Sequence, residues 1–485
     1  MDKIIEIVNQ YIWSTVFIVL CVCTGIYFSI RIGFIQFRYV PTMIKLLFAK
    51  KKDSQKGISS FQAFSLAISG RVGTGNIVGV ASAIAFGGPG AVFWMWVISL
   101  LGAASAFAEA TLGQLYKQEI KGEYRGGPAY YIEKGLGIKW YAVFFAVITI
   151  VSCGLLLPGV QSNSISKSVS TAFEISDYSV LGMPINIAGI LVVVLLSLII
   201  FGGVKRLGKV TEIIVPFMAV SYILLVLIII GFHYKQIPDM LMLIVRSAFQ
   251  QEQLYAGIIG LTIAWGVKRG IYSNEAGQGT APHAAAASEV KHPVEQGLVQ
   301  AFSVYVDTLF ICTATALMIL FTAKYNVIDK TTDTIITNNI PEVEFTAFTQ
   351  EAVSLHFPLF GNQFVALALF FFAFTTILAY YYYAETNVSY VFHKTNYYKM
   401  CIWILRVIFL IAVYYGTVKQ ADSAWALGDI GVGLMAWVNI IAILLLSNVV
   451  LKVWKDYVQQ KKEGIANPEF NNTDAKIKNA DFWNK

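Results

Sequence analysis

The sequence predicts an all-α membrane protein of about 11 transmembrane helices, five plus five in an inverted repeat with one extra N-terminal helix. Three observations lead there. Apolar runs of about 20 residues recur along the whole chain, long enough to cross a bilayer as helices. The 485 residues are 56% hydrophobic and only 13% charged, roughly half the charged share of a soluble domain. Two of the apolar runs, five spans apart, are broken by glycine and polar residues.

The spans fall at residues 11–30, 60–85, 90–115, 139–160, 183–203, 210–232, 255–285, 300–322, 362–393, 401–416 and 423–450. An odd count puts the termini on opposite sides of the membrane. Most Lys and Arg then collect on one face, Lys50, Lys51, Lys52, Lys205, Arg206, Lys461 and Lys462 among them, which places the C-terminus in the cytoplasm and the N-terminus outside. This bias accounts for the net charge of +7 with a lipid bilayer as partner and no nucleic acid. Residues 1–58 are expected to hold the extra helix and a basic segment lying on the cytoplasmic surface. Residues 59–232 and 255–450 form the two repeats, and 451–485 a polar, disordered tail.

The second span carries "GRVGTGNIVG" and the seventh "WGVKRGIYSNEAGQGTAP", and neither can be one continuous helix. Five spans apart, they cross in opposite directions. Matched interrupted helices in two halves mark a midplane binding site. A break in hydrocarbon leaves backbone N–H and C=O groups without partners, so it persists only where something else satisfies them. The N–H groups at Gly73, Thr74, Gly75 and Asn76 suit a carboxylate, and glycine lets it approach the chain. The carbonyls from Ser69 to Val72 suit a hard cation such as sodium.

The seventh span adds Tyr272, Ser273, Asn274 and Glu275 at its break. In the ninth, Thr375 and Thr376 are adjacent hydroxyls that either ligate an ion or bond back to their own helix, and Tyr380 follows one turn on. Arg71, Lys268, Arg269, Glu109, Glu275, Asp307, Glu385 and Asp429 are ionisable groups at membrane depth. They read as coupling groups or as ion pairs that hold the bundle and gate it. Arg71 is expected to pair with Glu109 or Glu275. Gly75-x-x-x-Gly79 is also a helix-packing motif. The five cysteines, Cys21, Cys23, Cys153, Cys312 and Cys401, lie in apolar runs and read as small buried hydrophobes. No phosphate-binding GxxxxGK motif, no HExxH and no nucleophile triad is present, so the chain does not read as an enzyme and implies no cofactor.

"GTGNIVGVASAIAFGGPGAVFWMW" followed by "RGIYSNEAGQGTAPHAAAA" resembles the alanine or glycine:cation symporters, the sodium:alanine symporter family of the amino acid-polyamine-organocation superfamily. The resemblance implies a leucine-transporter-type fold in the plasma membrane, the cell's inner membrane. It implies sodium-driven uptake of a small neutral amino acid, alanine or glycine, with sodium as the co-transported ion. Substrate contacts carried over by position are Gly73, Thr74, Gly75 and Asn76, with Tyr272, Ser273, Asn274 and Tyr380, and Gln161 where the polar "QSNSI" ends the fourth span. Sodium would sit between the carbonyls of Ser69 and Val72 and the hydroxyls of Thr375 and Thr376. Serine or glutamine as substrate, and an ion or small-solute channel as the activity, stay open on the sequence alone.

Overall fold

The computed structural model describes residues 2–49, 57–175, 178–180, 183–201, 203–249, 256–329, 334–341 and 343–484. Among these residues the chain is almost entirely helical, with three short antiparallel hairpins. Eight helices are long and apolar enough to cross a membrane, from Ile4–Arg31 to Ala421–Leu445, and two shorter apolar helices, Gly75–Gly87 and Ile187–Ile200, join them. This is a multi-pass membrane protein.

The first interrupted span begins on a capping box. Ser59 Oγ accepts from the Gln62 N–H at 3.0 Å, and the Gln62 side chain accepts from the Ser59 N–H at 3.0 Å. The helix Ser60–Arg71 then stops, Val72 leaves helical geometry with ψ 87°, and the chain resumes as a π-helical turn, Gly75–Gly79, followed by Val80–Gly87. The gap is Val72 and Gly73, narrower than the four bare residues expected, because Asn76 is already helical. The second interrupted span runs as Ala256–Asn274, a loop to Thr280, and Ala281–Ala287. Its loop turns through left-handed backbone at Glu275 (φ 54°), Gly277 (φ 80°) and Gly279 (φ 86°). Glycine takes such values without strain, whereas Glu275 needs its surroundings to hold it.

The long helix Gly90–Leu115 packs against Pro293–Val304 and against both halves of the second interrupted span. The helix Leu157–Phe173, with Pro158 in its first turn after the π segment Ser152–Leu156, packs against Gly361–Phe392 and Tyr398–Thr417. Small residues set these distances: a Cβ on Gly416 would stand 2.4 Å from the Gly159 carbonyl oxygen.

Several expectations change. The N-terminal run is two helices, Asp2–Ile12 and Thr15–Arg31, and the fourth span extends to Phe173. Its extension is polar on the sequence, yet Ser162, Asn163 and Ser166 are buried and hydrogen-bonded to neighbouring helices or to their own backbone. The basic segment after Gly33 is not simply laid on a surface, since Met43 and Leu47 of helix Val40–Leu47 are buried against Pro293–Val304; residues 50–56 lie outside the described part. Cys23 is exposed rather than buried. The tail is ordered. Phe470 and Trp483 are buried, Trp483 Nε1 donates to the Gln114 carbonyl at 3.1 Å, and Lys134 pairs with Asp481 at 2.9 Å. Three aromatic residues, Phe470, Phe482 and Trp483, anchor a stretch whose average composition is polar.

Gly416→Val drives a branched side chain into the Gly159 backbone, and overpacking of this kind typically costs about 1–3 kcal/mol. The expected outcome is a melting midpoint several degrees lower in detergent, read by thermal unfolding. An unchanged midpoint would mean that the two helices do not pack this closely.

Candidate substrate and ion site

The two breaks lie beside each other: a Cβ on Gly75 would be 3.2 Å from Ser273 Cα and 3.4 Å from the Tyr272 ring. Each break has backbone groups satisfied by side chains, most of them from distant elements. At the first, the Gly73 N–H donates to Asn76 Oδ1 at 2.9 Å, and the Thr74 N–H and hydroxyl donate to Gln161 Oε1 at 3.0 and 2.7 Å. On the carbonyl side, the Thr376 hydroxyl reaches the Ser69 carbonyl at 2.7 Å and that of Val72 at 3.4 Å, while also meeting its own Phe372 carbonyl at 3.0 Å. N–H donors and carbonyl acceptors are thus presented on opposite sides of one gap.

At the second break the partner is a carboxylate. Glu109, wholly buried on Gly90–Leu115, accepts from the N–H groups of Gly277 and Gly279 at 3.3 and 3.1 Å. Asn439 donates to the same Glu109 side chain at 2.8 Å and to the Gly277 carbonyl at 2.9 Å, and Tyr131 donates to Asn439. An unmade bond at each of these groups costs about 1–3 kcal/mol when buried. Glu109 is therefore part of the frame that holds the loop open.

Ser273 and Asn274 close the helix before that loop. The Ser273 hydroxyl lies 2.9 and 3.0 Å from the two oxygens of Asp307, Asn274 Nδ2 is 3.4 Å from Thr308 Oγ1, and Asn76 Nδ2 donates to Asp307 at 2.6 Å. Tyr272 stacks beside Trp425 with ring centroids 5.1 Å apart, and Tyr380 is buried against Glu275 and Tyr383.

A model of the sodium:alanine symporter family matches residues 1–472. The chain belongs to that family. YrbD of Bacillus subtilis is 54% identical over 486 residues, spanning 100% of this chain and 98% of its own. A sodium/proton-dependent alanine carrier protein of Bacillus sp. PS3 is 49% identical over 91% of this chain and 97% of its own. The sodium/alanine symporter AgcS of Methanococcus maripaludis is 36% identical over 96% and 99%. Among solved structures, a Na+-coupled sialic acid symporter in an outward-open state aligns over 93% of this chain and 86% of its own, with 11% identity and a TM-score of 0.47. Membership makes the chain a transporter of the sodium-coupled amino acid symporters, with sodium as the co-transported ion.

Two expectations about this family member's residues are corrected. Thr375 and Thr376 do not act as a pair, because neighbouring helical residues point about 100° apart. Thr375 turns to the carbonyls of Phe371 and Phe372 and toward Met218, and only Thr376 faces the break. Arg71 does not form an ion pair with Glu109 or Glu275: among the described residues no carboxylate lies within 4 Å of it. It donates to the Gln300 carbonyl at 3.0 Å and to Ser303, while remaining close enough to feel Glu109, Glu275 and Asp307 electrostatically. Its side chain points toward Pro293–Val304 rather than toward the loop. Glu275 instead accepts from Thr280 at 2.9 Å.

Arg269 and Lys268 share Asp429, at 2.8 and 2.6 Å, and the guanidinium is sandwiched among Trp265, Tyr272 and Trp425. Asn439 and Trp425 were not singled out in the sequence. A lone Asn inside the apolar "AWVNIIA" is a signal that a buried backbone group needs a partner; Trp425, near the start of its helix, gives none.

Asp429→Asn would take the shared counter-charge from the buried Arg269 and the partly exposed Lys268, and breaking a buried ion pair is typically worth about 3–5 kcal/mol. A large fall in thermal midpoint is expected, with partial recovery when Lys268→Met and Arg269→Met are added. Equal stability of Asp429→Asn and the parent protein would refute the assignment.

Proposed function

We propose that this chain imports small neutral amino acids, alanine and glycine, across the plasma membrane by sodium-coupled symport with alternating access. The observation that carries the reading is the first break. Oxygens from Ser69, Val72 and Thr376 converge on its carbonyl side, and the N–H groups of Gly73 and Thr74 on its other side meet only neutral side-chain oxygens.

A sodium ion takes the carbonyls of Ser69 and Val72 and the Thr376 oxygen, whose proton rotates away. The amino acid carboxylate takes the N–H groups of Gly73 and Thr74, displacing Asn76 Oδ1 and Gln161 Oε1. A charged acceptor replaces a neutral one, and charge-assisted hydrogen bonds are roughly twice as strong. No backbone group is left unpaired during the exchange. Gly75, Asn76, Tyr272, Ser273, Asn274 and Tyr380 close around the rest of the molecule.

Clearances at the break require glycine at position 73 and so keep the backbone bare there. A Cβ on Gly73 would stand 2.4 Å from Thr376 Oγ1 and 2.9 Å from Gln161 Oε1. Sodium entry supplies the driving force, about 2.3 kcal/mol per charge per 100 mV, on top of its concentration gradient. In this reading Arg269 and Asp429 form a gate, Arg71, Glu109 and Glu275 stabilise the breaks, and the chain has eleven spans in two inverted halves, 59–232 and 255–450. The C-terminal tail is then cytoplasmic.

In proteoliposomes with an imposed sodium gradient, Thr376→Val is expected to raise the half-saturating sodium for alanine uptake about tenfold or more, with Thr375→Val close to the parent. Equal sodium dependence for both variants would remove the proposed ion site. Gly75→Val should abolish alanine binding in protein that still inserts and runs as a single species in detergent; near-normal binding would remove the backbone-contact model.

A further inference from the structure

Two imidazoles face each other at one end of the bundle. His233 Nε2 and His356 Nε2 are 2.7 Å apart, with the rings nearly perpendicular at 82°. His233 follows the helix Gly203–Phe232, and His356 is the last residue of the short helix Phe348–His356. Flat aromatic contacts fix both rings: His233 lies on Phe321 with centroids 5.5 Å apart, and His356 on Phe232 at 6.0 Å. Both remain half-buried, so solvent reaches them.

The other ring nitrogens decide what this pair can bind. His233 Nδ1 is 3.3 Å from Gln236 Oε1, and His356 Nδ1 is 3.4 Å from the Ala352 carbonyl oxygen. These oxygens only accept, so each neutral ring carries its proton on Nδ1 and donates it there. Both Nε2 atoms are left with lone pairs, aimed at one another. A hydrogen bond between them would take the proton from one Nδ1 and set that nitrogen's lone pair against an oxygen. A cation between the two Nε2 atoms satisfies all four nitrogens at once. An imidazole held through its far nitrogen by a carbonyl is the usual nitrogen ligand of zinc. Tetrahedral zinc, with Zn–N bonds of about 2.0–2.1 Å, sets two ligand nitrogens about 3.3 Å apart. The rings need part by only about 0.6 Å to admit it, and water completes the coordination.

We propose that His233 and His356 form a zinc site that clamps the helix Phe348–His356 to the end of Gly203–Phe232 and so inhibits transport, an inference that rests on the symport reading. The clamped helix packs on the π-helical turn Gly75–Gly79 beside the first break and on Gly361–Phe392, which carries Thr376. Gly203–Phe232 packs on Ser60–Arg71, the other half of the same broken span. A metal that joins the two fixes the cover of one half to the neighbour of the other, and a transporter that must part them to expose the break is held in one state. The pair also sits where an outside ion reaches it. Ile58 lies against Gly208 and is hydrogen-bonded to Ala287 and Glu289, at the end of the bundle where Lys291 meets the tail. His233 is about 38 Å further along that helix. With the tail cytoplasmic, the two histidines face the outside.

The test uses the full chain in proteoliposomes, reading sodium-driven uptake of radioactive alanine with zinc chloride added outside or removed by a chelator. Zinc is expected to slow uptake in the parent, and the chelator to restore it. His233→Ala and His356→Ala are each expected to raise the half-inhibiting zinc concentration at least tenfold, with uptake in the chelator close to the parent's. Parent uptake that zinc leaves untouched, or equal zinc sensitivity in parent and variants, overturns the proposal. Zinc-insensitive uptake that acid slows in the parent but in neither variant would assign the pair to a shared proton and overturn it too.

A parent protein without sodium-driven alanine uptake would sink the symport reading. The site is then read separately, in detergent without sodium or amino acid. Zinc should raise the thermal midpoint of the parent and leave His233→Ala and His356→Ala unmoved; no rise in the parent, or the same rise in the variants, removes the site. Magnesium, which prefers oxygen ligands, should shift none of the three, and a magnesium effect equal to that of zinc removes it as well.

Discussion

A helix that breaks inside hydrocarbon exposes backbone groups that no water can reach, and the architecture of this protein is arranged around satisfying them. Two breaks lie side by side at Val72–Gly73 and at Glu275–Thr280. The groups that complete them come from distant elements: Gln161 from the helix Leu157–Phe173, Thr376 from Gly361–Phe392, Glu109 from Gly90–Leu115 and Asn439 from Ala421–Leu445. Remove the breaks and these polar side chains lose the reason for their burial. Remove the side chains and the breaks are unaffordable in lipid.

The two breaks are completed with different chemistry, and that difference separates scaffold from site. Glu109 offers a charged acceptor to Gly277 and Gly279 and is itself fixed by Asn439, which Tyr131 fixes in turn. A charged, doubly supported partner is hard to displace. Gln161 and Asn76 offer neutral amide oxygens to Thr74 and Gly73. Neutral acceptors bind an N–H less strongly than a charged one, so the first break is the more easily opened of the two and the second the more rigid.

Much of this was legible in the sequence. Glycine and polar residues in two otherwise apolar spans located both breaks. What the sequence could not supply was direction. Thr375 and Thr376 are equivalent as letters, and only helix rotation shows that one faces Phe371 and Phe372 while the other faces Ser69. Arg71 sits three residues from Thr74, yet its side chain leaves the break for Gln300 and Ser303. Gln161, placed by the sequence at the end of the fourth span, lies inside a helix that continues another three turns, to Phe173. The tail misled for a different reason. A few aromatic residues outweigh many polar ones when each finds a pocket, and Trp483 finds one against Gln114.

Charge arithmetic binds the site to its function more tightly than any one contact. Asp429 is held by two cations, Lys268 and Arg269. The region between the breaks is the reverse, with Arg71 facing three buried carboxylates at a distance rather than neutralising one of them. Held on Gln300 and Ser303, Arg71 acts on all three carboxyls at a distance and, among the described residues, forms an ion pair with none of them, while the Asn76 amide touches both Asp307 and the backbone of Gly73 and so ties the first break to the helix that carries Asp307.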